Sequence, residues 1–143
     1  MAAAIRDARP EDAEAIAGLL AQLGYPTETA AVPARLERLA LVGDRVVVAE
    51  LDGRIAGLAH LHVSPAIEHD RPAARLGALV VDAGYRLAGV GRALVEAVDK
   101  EARSRGCSAF FLTTSDRRED AHAFYERVGL QQTGRRYGRT LSE

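Results

Sequence analysis

Of the 143 residues only one is a cysteine, Cys107, so no disulfide closes within the chain, and no Cys/His spacing marks a structural zinc site. Charge of one sign is missing too. Nineteen Lys and Arg stand against twenty Asp and Glu, a formal net charge of −1, so no global field draws the chain to nucleic acid or to an anionic membrane. No apolar run approaches the roughly 20 residues of a membrane span. The opening MAAAIRDARPEDAEAI lacks the basic-then-apolar order of a secretory signal. These absences predict a cytoplasmic protein with no nucleic-acid or membrane partner and no metal. There is no low-complexity linker and no internal repeat. With 48% apolar and 27% charged residues, the chain suits a single domain over 1–143 that buries its own core.

What is present alternates between two periods. AAAIRDA has the makings of a short first strand. Pro10, Glu11 and Asp12 then suit a first helical turn, because proline needs no donor there and acids face the positive end of the dipole. Ile16, Leu19, Leu20 and Leu23 recur on one helical face until GYP ends the run, and PARLERLAL predicts a second helix. RVVVAEL and RIAGLAHLHV, joined by Asp52-Gly53, predict a hairpin. After the polar SPAIEHDRP, AARLGALVV predicts a fourth strand. Val90, Leu94, Ala97 and Val98 mark a third helix, stopped by Gly106. CSAFFLTTS is nearly continuous in apolar character and predicts a fifth strand buried on both faces. Asp116 and Glu119 have capping-box spacing for a helix over RREDAHAFYERV, closed by Gly129. LQQTGRRYGRTL predicts one or two final strands. The order implies an α/β chain, an α+β mixed sheet of six to seven strands with four helices and a right-handed crossover between strands four and five.

The chemistry-bearing stretch is YRLAGVGRALV, residues 85–95, directly after the fourth strand. Glycines at the entrance to a helix let an anion approach backbone N–H groups that have no intrahelical partner, with the helix dipole pointing the same way. Arg86, Leu87, Ala88, Gly89, Val90, Gly91 and Arg92 are the candidate ligands. The third glycine of a dinucleotide fingerprint is replaced by Leu94, and no G-K-[S/T] follows for a P-loop.

Arg86-Leu87-Ala88-Gly89-Val90-Gly91 resembles the R-x-x-G-x-G/A acetyl-CoA motif of the GNAT superfamily of N-acetyltransferases. LVVDAGY before it and AHAFYERVGL after it are similar to the flanking strand and the A-x-x-F-Y-x-x-x-G-F signature of that family, with Leu130 in place of the usual phenylalanine. The resemblance covers nearly the whole chain. It implies a GNAT-like fold in which strands four and five splay. The backbone of Leu79, Val80 and Val81 then pairs with the pantetheine arm of acetyl-CoA while residues 86–92 hold the pyrophosphate. It implies acetyl transfer to a primary amine, in the manner of small single-domain members related to aminoalkylphosphonate N-acetyltransferase. A degenerate acyl-CoA-binding module or a protein N-terminal acetyltransferase are the alternatives, and a homodimer is implied by analogy.

Attack on a thioester needs a neutral amine, and an alkylamine of lysine-like pKa is neutral in about one molecule in 2,500 at pH 7. Tyr125 matches the tyrosine that serves relatives as general acid. Several relatives carry a glutamate in strand four where this chain has Gly77 and Ala78. His69, or Glu68 beside it, is then a candidate base. His60 and His62 alternate with Leu61 and Val63 and so share one strand face, where they could line a substrate pocket. Arg117, Arg135, Arg136 and Arg139 are available to an anionic substrate.

Overall fold

A computed structural model of the chain describes residues 2–86, 88–113 and 119–141, without the side chains of Glu119 and Asp120. The chain forms two compact units, residues 1–112 and 113–143. In the first, β1 (Ala4–Asp7) leads through a 3-10 turn at Pro10–Asp12 into α1 (Ala13–Leu23), and a second such turn at Thr29–Ala31 leads into α2 (Val32–Leu41). The hairpin of β2 (Arg45–Leu51) and β3 (Arg54–Ser64) follows, then β4 (Ala73–Val81), a 3-10 turn at Ala83–Tyr85, α3 (Val90–Ser104) and β5 (Ala109–Phe111). The sheet runs in sequence order, antiparallel throughout except that β4 and β5 are parallel. The hairpin turns at Asp52 with φ 53° and Gly53 with φ 77°, the left-handed pair that a two-residue turn between twisted strands demands.

Alternation along the strands serves two helical layers. Val47, Leu61 and Leu76 pack with Val90, Leu94 and Val98 of α3. Their neighbours Val48, Leu58 and Val80 pack instead with Ile16 and Leu19 of α1 and Val32 of α2. A Cβ at Gly57 would lie 2.9 Å from Leu94 Cδ1 and 3.0 Å from Val90 Cγ1. The missing side chain therefore lets the first turns of α3 settle directly on β3. No helix among the described residues is long and apolar enough to cross a membrane.

Two expectations are corrected. The fifth strand is three residues long with pattern exposed, half-buried, exposed, and Phe111 is 44% accessible rather than buried on both faces. Among the described residues β5 is the last strand of its sheet, so it has a ladder neighbour on one side only. In the second unit α4 (Glu119–Arg127) ends at Gly129, φ 94°. Residues 130–141 then carry no strand, so among the described residues the sheet has five strands instead of six or seven. The segment is polar and exposed beyond Leu130, with no apolar face to hold it in a ladder. Asp116, half of the expected capping box, lies outside the described residues.

Candidate active site

Three features of the first unit gather around β4. The first is its far edge. On the β3 side β4 is paired along its length, from Ser64↔Ala73 to Gly57↔Val81. On the β5 side the ladder holds only Ala73↔Ala109, Ala74↔Phe110 and Arg75↔Phe111. From Leu76 to Val81, including the candidate residues Leu79, Val80 and Val81, β4 has no ladder partner on that side among the described residues. Backbone N–H and C=O groups in such a stretch require another partner, and an extended ligand is one that fits. Leu79 and Val81 turn their side chains to the α3 core and Val80 to the opposite layer, so the edge offers backbone.

The second is the turn after β4. The Asp82 carboxylate accepts the Gly84 N–H at 2.8 Å and the Gln22 amide at 3.2 Å, while the Ala83 N–H donates to Gln22 Oε1 at 3.0 Å. These bonds tie the turn to α1. Gly89 then adopts φ 82° at the N-cap of α3, a left-handed conformation that a β-branched residue enters only with strain. The first backbone bond of the helix runs from the Ala93 N–H to the Gly89 carbonyl at 3.1 Å. The N–H groups of Val90 and Gly91 precede it and have no intrahelical acceptor. Arg86, Ala88, Gly89 and Arg92 are exposed, Val90 and Gly91 are buried, and Leu87 lies outside the described residues.

The third feature is a side-chain cluster. The Asp44 side chain, 4% exposed at the end of the loop from α2 to β2, bridges two imidazoles of β3: Oδ2 lies 2.7 Å from His60 Nε2 and Oδ1 2.7 Å from His62 Nδ1. Burial pushes the Asp44 carboxyl up, but the bonds from His60 and then His62 outweigh it, and the group sits below the usual carboxylate range. The two ring nitrogens meet different oxygens and converge on no common point, and no group of three or more His, Cys, Asp or Glu among the described residues is placed to hold a metal ion. Opposite His60, the ladder with β4 shifts register between His60 and Leu61, leaving Gly77 as an extra residue. A Cβ on Gly77 would collide with Nδ1 of His60. The imidazole therefore occupies the space that a strand-four side chain would need.

Sequence reasoning found both histidines and missed the acid that joins them. Glu68 and His69 lie exposed in the loop between β3 and β4. In the second unit, the half-buried Tyr125 sets its ring edge-on to Phe124, with centroids 5.7 Å apart and planes at 62°. Arg135, Arg136 and Arg139 are exposed, and Arg117 is outside the described residues.

The chain is 33% identical over 99 residues to a glucosamine 6-phosphate N-acetyltransferase of Trypanosoma brucei brucei, covering 68% of this chain and 65% of that protein. It is 31% identical over 90 residues to an aminoalkylphosphonate N-acetyltransferase of Salmonella typhimurium, covering 63% and 58%. The matches thus span less than two thirds of either relative. A crystal structure of a Trypanosoma brucei acetyltransferase superposes with a TM-score of 0.84 at 26% identity, over 97% of this chain and 99% of that one. A sequence profile of the acetyltransferase (GNAT) family matches residues 4–130. That match runs from the first strand through the glycine turn to the end of α4, and the chain is a member of the GNAT family of acetyltransferases.

Proposed function

We propose that residues 1–143 form one catalytic domain that moves an acetyl group from acetyl-CoA to a primary amine of a small molecule by direct attack. The observation that carries this reading is the edge of β4. Its ladder to β5 stops at Arg75, and the strand leads through the Gly89 turn into the N-terminus of α3. The open edge would pair with the pantetheine amides, and backbone N–H groups of 86–92 would face the pyrophosphate. Tyr125 is assigned as the acid that assists the departing thiolate, on the strength of its place in the matched signature. The named relatives act on glucosamine 6-phosphate and aminoalkylphosphonate. Both unite a primary amine with a phosphorus oxyanion, and we assign the same substrate class here.

Calorimetric titration with acetyl-CoA tests the reading. Wild type binds, and Gly89→Val weakens binding at least about fivefold, since backbone strain of about 1–3 kcal/mol falls on the cradle. Folded wild type that binds no acetyl-CoA refutes it. Gly77, which supplies no carboxylate, favours a second reading in which the domain binds acyl-CoA without turnover. That reading predicts binding but no thiol release with any amine.

A further inference from the structure

We propose that His60, held by Asp44, is the general base that removes the proton from the acceptor ammonium. The proposal rests on the acetyltransferase reading above and names a residue of its site. Asp44 is buried and its carboxyl is held ionised, so both oxygens only accept. His60 Nε2 and His62 Nδ1 must each carry the proton they donate to it. In its neutral form His60 therefore has its lone pair on Nδ1, and Nδ1 is the atom turned toward β4, against Gly77. Gly77 comes two residues after Arg75, the last β4 residue paired to β5. The basic nitrogen lies against Gly77, in the stretch of β4 past its last pair with β5. With 18% of its side chain exposed, the His60 ring is open to solvent on one part, yet held by Asp44 and against Gly77.

His62 is oriented by the same carboxylate, but its Cα partner on β4 is Arg75, where the β5 ladder is still intact, and its side chain is 37% exposed. It faces solvent rather than the opening. Among the described residues, the charged and titratable groups joined to His60 are Asp44 from the α2–β2 loop and, through Asp44, His62 of its own strand, while Arg75 of β4 is the Cα partner of His62. Asp44 is a positioning residue, acting on the amine only through the tautomer it imposes.

The reaction balances as follows. His60 Nδ1 takes one proton from the ammonium, R–NH3+, and passes it to solvent. The amine lone pair forms a C–N bond to the thioester carbonyl carbon, and collapse of the tetrahedral adduct breaks the C–S bond. The acid assigned above, Tyr125, protonates the departing thiolate and is reprotonated by the second nitrogen proton, giving the amide, CoA thiol and one released proton. A base placed in this way contributes about 10²–10⁴-fold.

Four measurements on purified protein decide the matter. Thiol release is followed with acetyl-CoA and a panel of glucosamine 6-phosphate, an aminoalkylphosphonate and a simple alkylamine. In His60→Gln, kcat falls at least about 100-fold and the acid limb of the pH profile disappears, while the acetyl-CoA Kd is kept as proof of folding. A His60→Gln enzyme that keeps its kcat overturns the base assignment and leaves the acetyltransferase standing. If His69→Gln or Glu68→Gln removes the acid limb instead, the assignment is also overturned. Wild type that binds acetyl-CoA but releases no thiol with any amine overturns the acetyltransferase reading and the role of His60 with it. Nitrogen NMR of unliganded wild type supplies a readout that needs no turnover: neutral His60 is expected as the Nε2–H tautomer, and the Nδ1–H tautomer overturns the proposal.

Discussion

Among the described residues Asp12 and Asp44 bury their side chains, and they are put to opposite uses. Asp12, 9% exposed at the entrance to α1, receives both Nη atoms of Arg6 at 2.8 and 2.9 Å and the Arg9 N–H at 2.8 Å. The Arg6 bond lowers its carboxyl most, against burial that raises it, and Arg9 adds to the lowering. Asp44 achieves the same buried, ionised state with two imidazoles in place of one guanidinium. A guanidinium holds its protons at any pH a protein survives, so the Asp12 pair can only hold β1 to the start of α1. An imidazole exchanges its proton near neutrality. The same acid, its side chain buried in both places, is a clasp in one and the anchor of a proton acceptor in the other, and the partner decides which.

The sharpest way to break this contrast is Asp44→Asn. An amide has one oxygen and one NH2 to offer two imidazoles, so at least one ring must adopt the other tautomer. Where the ring that changes is His60, kcat should fall at least about 100-fold, with the tautomer change visible by NMR. Next is Gly77→Ala. Its methyl would meet the His60 ring, so kcat should drop at least about tenfold with the acetyl-CoA Kd unchanged by calorimetry. Asp12→Asn sharpens the contrast from the other side. Chemical denaturation should show a loss of about 2 kcal/mol, between the values for exposed and buried pairs, with the shape of the kcat pH profile unaltered. The smallest effect is in acid. Both carboxyls lie lower folded than unfolded, so each contributes stability that is complete above the unfolded value of about 3.9 and is lost as pH falls through the folded one. The stability curves of wild type and Asp12→Asn should therefore converge below about pH 4. Curves that stay parallel would show that Arg6 does not hold Asp12 ionised.

The parts of this site legible in the sequence are those encoded locally. AARLGALVV, the turn at Asp82 and the helix behind Gly89 are contiguous, and each declares itself within about ten residues by period or by glycine. The pairing of Asp44 with His60 and His62 is not local. It depends on register. Extending Arg45↔Leu61 by one step sets residue 44 opposite His62, but only after the shift between Ala49 and Glu50 that separates this register from the one at the turn. The extra residue at that shift is Ala56 of β3, and nothing in its type announces a bulge. Gly77 is the same case on the other flank of β3, a glycine that reads as a weak strand residue until the imbalance across His60 is known. At the chain's end the error ran the other way. The β-prone residues of 130–141 were present without a buried face to pair them.

The stretch of β4 beyond Arg75 bears on how the protein behaves in a tube. Unpaired strand edges are templates for other strands, and natural sheets blunt them with charge, proline or a covering element. Leu76, Gly77, Ala78, Leu79, Val80 and Val81 include none of these protections in their own sequence. On the reading proposed above, acetyl-CoA would cover this edge and serve as its guard. Solutions kept with CoA should stay clear at concentrations and temperatures where the stripped protein self-associates, and amide exchange along Leu76–Val81 should slow as the thiol is added.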